Sequence, residues 1–278
     1  MAYLIQPSAP TYLEKLFRDG DALTNHNSYQ QWFLDAANGN DSNNGRTAQT
    51  AWKTFDYSVY FLSSIKFSID VGATTVNVAP GAYINSCISD GLPPCGAYSQ
   101  VQYSGSSGNA NDVTLATNYG LGFEGGQWSF ANMSLTDFTG YYTSVFMGLD
   151  SILSLSNVKV IQPNSGIYDT FEMYKNTTLN LYNVEFSGAS GSIMFNLQES
   201  SSVYHYGVMT LSGSPSFAPF AKLAGKSTYI NRGGTFVGSA TGQRHQITEF
   251  AKCFTNGTGV NLFPGNSAGS VSSTATFV

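Results

Sequence analysis

Charge is scarce in this sequence. Only 10% of its 278 residues are Asp, Glu, Lys or Arg, where roughly a quarter is usual for a soluble chain. The net charge is −5 and no window gathers Lys or Arg, which argues against a nucleic-acid partner. No run reaches the roughly 18 consecutive apolar residues of a membrane span, so membrane insertion is not expected. Met1 to Tyr12 has neither a basic start nor a long apolar stretch, so a secretory signal is not expected either. Cysteine is limited to Cys87, Cys95 and Cys253. Cys87 and Cys95 flank ISDGLPP and are near enough in sequence to pair, yet the odd count and the missing signal favour free thiols. Histidine is limited to His26, His205 and His245. No Cys/His set has metal-ligand spacing, and no phosphate loop or Ser nucleophile motif occurs, so no metal or cofactor is expected.

Glycine (29), Phe (19) and Tyr (17) are plentiful, beside much Ser, Thr and Asn. A surface built from neutral polar groups suits an all-β chain with many turns, and partners such as sugars. Repeats carry the fold. WSFANMSLT (128–136), LSLSNVKVI (153–161), LNLYNVEFS (179–187), VYHYGVMTL (203–211) and, more loosely, TYINRGGTF (228–236) each hold two short alternating runs around a hinge. The hinges Asn132, Asn157, Asn183, Gly207 and Gly233 lie 25, 26, 24 and 26 residues apart. Phe146, Phe171, Phe195 and Phe220 keep the same beat.

Alternation is the period of a strand with one buried face. In LNLYNVEF, Leu179, Leu181, Val184 and Phe186 are expected inside, with Asn180, Tyr182 and Glu185 outside. Asn and Gly tolerate the left-handed backbone of a sharp corner. The repeat therefore predicts a parallel β-helix of coils about 25 residues long, clearest over 120–265. Leucine-rich repeats lack their pattern here, a propeller blade needs roughly 40 residues, and a sandwich does not keep so regular a period.

Ahead of these coils, PTYLEKLFR (10–18) reads as a short amphipathic helix and TFDYSVYFLSSI (54–65) as a second, with Phe55, Val59, Leu62 and Ile65 inward. TTVNVAPGAYI (74–84) reads as a strand stopped at Pro80-Gly81, and residues 85–111 as a long Gly/Ser/Pro-rich excursion. Trp32, Trp52 and Trp128 are expected to cap or fill the core.

WFLDAANGNDSNNGRTAQTAWKTF (32–55), followed by TTVNVAPGAYI, resembles the opening of right-handed, single-stranded parallel β-helix proteins of the pectin-lyase-like kind. That resemblance implies a helix capping the first coil. GVNLFPGNSAGSVSSTATF (259–277) is similar to the C-terminal "FPGNxAG" segment of bacteriophage and prophage tail fibres and tailspikes. It implies a virion protein that binds the host surface, usually as a homotrimer. On this reading 1–31 is a cap segment attaching to other virion proteins, 32–265 the β-helix and 266–278 a tail. The shortness of the chain, against depolymerase tailspikes, leans the expectation from enzyme towards binding appendage. A small polysaccharide depolymerase, glycosidase or lyase, and a non-phage bacterial β-helix surface protein stay open as alternatives.

Sugar cleavage on such a scaffold needs paired carboxylates, roughly 5–5.5 or 6.5–9.5 Å apart. Four residues past the Phe marker, successive coils carry Asp150, Lys175 and Glu199. Coils stacked about 4.8 Å apart would leave the two acids about 9.6 Å apart. A solvated turn with alternating charge explains the same pattern and is favoured. Asp169 with Glu172, and Glu185 alone, are weaker candidates. Arg244-His245 is a further possible pair, in a loop after the last clear coil. Asp35 to Gly45 is rich in Asp and Asn like a calcium loop but lacks the closing Glu, so side-chain-stabilised turns are expected there. Tyr182 and Tyr206 hold matching places on successive coils, and Tyr204 is a candidate to join them. Such a column fits sugar stacking, a sister chain in a trimer, or ordinary surface.

Overall fold

The computed structural model of the chain describes residues 30–64, 73–85, 100–117, 121–136, 144–161, 169–188 and 192–278. The helix expected at 10–18, Ile65, His26, the Cys87–Cys95 pair and nearly all of the N-terminal segment lie outside these residues. The described part is the right-handed parallel β-helix expected, with about seven turns of about 25 residues. A full coil in the middle of the stack crosses three faces. The first face stacks Gln30–Leu34, Ala73–Val78 and Gln100–Gly105 ahead of the first halves of the long strands Gln127–Thr136, Ile152–Ile161, Thr178–Ser187 and Ser202–Ser212. Thr228–Asn231, Lys252–Phe254 and Thr276–Phe277 continue it. The second face holds Gly81–Asn85, Val113–Thr117, the second halves of the long strands and Thr235–Val237. The third face runs from Leu121–Glu124 and Ser144–Leu149 through Asp169–Tyr174, Phe195–Leu197, Ala221–Leu223 and His245–Ile247 to Ser270–Val271.

The corner between the first two faces is where the hinges sit. Asn132, Asn157 and Asn183 have φ of 55°, 52° and 53°, and Gly207 and Gly233 have 67° and 87°. Left-handed backbone costs about 1–2 kcal/mol in an ordinary L-residue but little in Gly, and Asn can repay it with local hydrogen bonds. Here the Asn amides also bond between coils: Asn157 Nδ2 donates to Asn132 Oδ1 at 2.8 Å. Asn183 Oδ1 accepts the Val208 amide at 3.0 Å. That oxygen fills the space a side chain at 207 would need, since a Cβ there would lie 2.3 Å from it. The ladder of asparagines therefore ends in a glycine.

Inside, the alternation places Leu179, Leu181, Val184 and Phe186 in the core. Phe146, Phe171 and Phe195 stack in register, ring centroids 5.0 and 5.5 Å apart. The fourth expected member is displaced. Ala221, not Phe220, pairs with Phe195. The Met194 and Phe195 amides both donate to the Phe220 carbonyl, a bulge that moves Phe220 one place ahead and turns its ring edge-on to Phe195.

The N-terminal end is closed by helix Phe55–Ser64, which buries Phe55, Val59 and Leu62. Beside it Trp32 and Trp52 stack at 4.9 Å, with the Arg46 guanidinium 3.8 Å over Trp32. In the Asp35–Gly45 turn, side-chain oxygens bond backbone amides. Asp35 Oδ1 accepts from Ala37 and Asn38, and these bonds hold its carboxyl below the usual range despite some burial. Asp41 Oδ1 accepts from Lys53 and Thr54 just before the helix.

Three stretches differ from expectation. Gln100–Gly105 is not excursion but a strand of the first face, with Val101 and Tyr103 buried. Pro80 does not end the chain's extended run, because the strand resumes at Gly81 on the second face. Residues 266–278 are not a free tail, since Ser270–Val271 and Thr276–Phe277 pair with the preceding coil. Phe263 of the FPGNSAG segment is fully buried against Tyr229, and Asn266 Oδ1 accepts the Gly242 amide at 2.9 Å. That segment therefore packs under the last coils. Among the described residues no helix is long and apolar enough to cross a membrane.

Candidate functional site

Asp150, Lys175 and Glu199 sit on the corner after the third face. Their φ values are 47°, 44° and 49°, and Gly225 and Glu249 continue the column at 59° and 51°. The corner is held by backbone bonds between coils, Asp150 N to Lys175 O at 2.9 Å and Asn176 N to Glu199 O at 3.0 Å. Just past it Ser151, Thr177, Ser201 and Ser227 turn inward and are buried. Ser201 Oγ and Ser227 Oγ each donate to a backbone carbonyl of the preceding coil, Met173 O and Leu197 O. Asp150 and Glu199 are exposed on this turn, and Asp150 accepts Asn176 Nδ2 at 3.2 Å.

The histidines described lie in the core. His205 Nδ1 meets the Tyr229 hydroxyl at 2.9 Å, and burial holds its imidazole down to about 4. His245 belongs to a third-face strand rather than a loop, buried with its ring stacked on Phe277 at 4.6 Å. Cys253 is a free, buried thiol beneath Tyr229.

The outward tyrosines behave differently. Tyr182 and Tyr206 are neighbours in register, with ring centroids 4.6 Å apart and planes 5° from parallel. Tyr182 is 39% exposed. Partial burial, with the neighbouring Tyr206 phenol, pushes its hydroxyl above the ordinary tyrosine pKa. The preceding coil offers only Ser156 in this column, too small to cover the other face of Tyr182. Tyr204 does not join the stack. It pairs with Asn180 and Ile230, two residues earlier on the same face.

Around the hinge from Tyr182, the second face carries a groove of about 400 Å³. The wall is the loop joining Gln100–Gly105 to Val113–Thr117, and the floor is formed by Asn157, Lys159, Asn183 and Glu185. Ser134 Oγ donates to Ala110 O at 2.9 Å and Asn157 Nδ2 to Gly108 O at 3.1 Å, so the loop is tied to the coils beneath. Within it, Asn109 Oδ1 accepts the Asn111 amide at 3.1 Å. Across the floor Lys159 Nζ lies 3.3 Å from Glu185 Oε1.

Among the described residues, the third face carries a carboxylate pair drawn out of water. Asp169 and Glu172 are buried. Asn196 Nδ2 donates to Asp169 Oδ2 at 2.8 Å, Gln198 Nε2 donates to Asn196 Oδ1 at 3.1 Å, and the Tyr174 hydroxyl donates to Glu172. Burial raises the Asp169 pKa, and the nearby Glu172 charge adds to it.

No family model, curated protein or solved structure matches this chain.

Two chemistries are therefore laid out on separate faces. The Tyr182–Tyr206 pair and the groove offer flat aromatic area beside hydrogen-bonding amides, which is a binding arrangement. The Asp169–Glu172 pair offers a carboxyl whose pKa burial raises, beside a second acid, which is an acid–base arrangement. Matching places in the repeat mark the tyrosines in the sequence. Asp169 and Glu172 stand out less there, because alternation alone does not show that an outward Glu is covered. The groove was hidden because its wall, 106–112, lies far in sequence from its floor.

Proposed function

We propose that this chain is a virion appendage of the tail-fibre or tailspike kind that binds a bacterial surface polysaccharide, working as a homotrimer. The observation that carries the binding role is the parallel Tyr182–Tyr206 pair on a strand face, with Tyr182 exposed and Tyr206 half-buried. Aromatic faces set in strands need little ordering on binding, and a sugar ring offers C–H groups to stack on them. The likeness of the 259–277 segment to tail proteins supports placement in a virion, with residues 1–31 as the attachment segment to other virion proteins.

Binding of dextran, galactan, mannan and O-antigen oligosaccharides on an array, with light scattering on the same samples, tests this reading. Tyr182→Ala with Tyr206→Ala should weaken binding about tenfold or more, from roughly 0.5–1.5 kcal/mol per aromatic contact, and leave a trimer mass unchanged. Dissociation of the trimer by the same double variant would instead assign the tyrosines to the subunit interface. A monomeric wild-type chain would remove the homotrimer.

The buried acid pair favours a second reading, cleavage of the bound polysaccharide. Glycosidases use one carboxyl with a raised pKa and a second acid opposite it. On that reading reducing-end release by the wild type should disappear in Asp169→Asn and persist in Asp150→Asn and Glu199→Gln. No release from any polysaccharide the protein binds would leave a binding appendage only.

A further inference from the structure

The groove beside the tyrosines has a polarity that selects among sugars. We infer that it is a subsite for an uncharged, hydroxyl-rich sugar ring and discriminates against uronic and sialic acids. The inference rests on the glycan-binding reading and specifies its ligand class. Its volume of about 400 Å³ falls within the roughly 300–1,000 Å³ of small-molecule sites. The loop wall is already bonded to the coils, so the groove is formed before anything enters it.

The remaining hydrogen-bond capacity of the groove can be read from the bonds already made. Asn157 Nδ2 donates both to Asn132 Oδ1 at 2.8 Å and to Gly108 O at 3.1 Å. Two acceptors fix which end of that amide is nitrogen, and its Oδ1 has no partner among the described residues. Asn183 is the reverse. Its Oδ1 accepts the Val208 amide at 3.0 Å, which leaves Nδ2 to donate. Adjacent coils thus present an acceptor and then a donor. A hydroxyl both donates and accepts, so neighbouring sugar hydroxyls can meet both. A carboxylate only accepts, and would face Asn157 Oδ1 unpaired.

Charge points the same way. Lys159 is the cation of the groove, and Glu185 neutralises it at 3.3 Å. An acidic sugar would have to share Lys159 with that partner and set its own carboxylate beside Glu185. Asn183 also follows Tyr182 directly, so a ring stacked on the tyrosine leads its neighbour over the hinge into the groove.

The test uses the full chain and an array of neutral trisaccharides from dextran, galactan and mannan beside trigalacturonate and sialyllactose. Wild type should bind neutral members and not the acidic ones. Asn183→Gly keeps a residue at ease with φ 53° and removes the amide, so its melting temperature reports folding while its affinity for the neutral binder should fall about tenfold. Glu185→Gln leaves Lys159 unneutralised and should gain binding to trigalacturonate. Preference of the wild type for acidic members overturns the inference. Unchanged affinity in a folded Asn183→Gly variant, with loss in Tyr182→Ala/Tyr206→Ala, overturns the subsite and leaves the glycan-binding reading standing. Wild-type binding to none of the sugars removes both.

Discussion

Phe171→Ala should destabilise the β-helix by about 3–5 kcal/mol, the range for deleting a fully buried phenyl ring. Phe171 has no exposed surface and lies between Phe146 and Phe195, its ring within 13° of parallel to both. Loss of the ring removes contacts on both sides at once, and each aromatic pair contributes about 0.5–1.5 kcal/mol beyond its area. In a solenoid every coil is stabilised only by its two neighbours, so a cavity at mid-stack weakens two interfaces together. Denaturant unfolding of wild type and variant measures the difference. A loss below about 1 kcal/mol would mean that the coils collapse around the hole, and the stacked column would then have no special weight.

The second large effect is with pH. His205 is buried with a pKa held down to about 4, against an ordinary 6.5. Burial is the cause: Nδ1 has the Tyr229 hydroxyl, but Nε2 has no partner among the described residues and would have to carry a proton in the core. Between those two pH values the unfolded chain binds a proton that the folded chain refuses. The stability this gives is complete above pH 6.5 and is lost as pH falls towards about 4, in total about 3 kcal/mol at 1.36 kcal/mol per pH unit. His245 is lowered as well and acts in the same direction, while the raised Asp169 acts in the opposite one. Comparing wild type with His205→Phe isolates the one residue. The gap in unfolding free energy between the two should change by about 3 kcal/mol from pH 7 to pH 4. A gap that stays constant would mean His205 takes its proton without strain.

The inner half of each coil was legible from sequence because two simple constraints coincide there. An inward residue must be apolar at every second place, and a left-handed corner admits Asn or Gly. Asn132, Asn157, Asn183, Gly207 and Gly233 satisfy the second at every expected position. Where one constraint is relaxed the pattern misleads. Gln100–Gly105 has only Val101 and Tyr103 to show its alternation amid Gly and Ser. Phe220 is apolar and well spaced, yet a single bulged residue takes it out of register. The candidate sites were less legible still. Whether Glu172 is covered, or where the loop bearing Asn109 lies, depends on contacts between residues distant in sequence, such as Ser134 Oγ with Ala110 O. Tyr182 and Tyr206 were an exception, because a solenoid converts equal place in the repeat into adjacency in space.

The hydrogen bonds that join coil to coil all run along the axis, while the covalent chain runs around it. As a material the molecule is therefore anisotropic. Tension across the axis loads covalent backbone, whereas tension along it loads the interfaces between coils in series, and the thinnest yields first. Mid-stack, strands such as Thr178–Ser187 span 10 residues. At the C-terminal end, Ser270–Val271 and Thr276–Phe277 span 2 residues each. Peeling under axial load would begin there, one coil at a time, with the Phe column and the tyrosine face among the later parts to open.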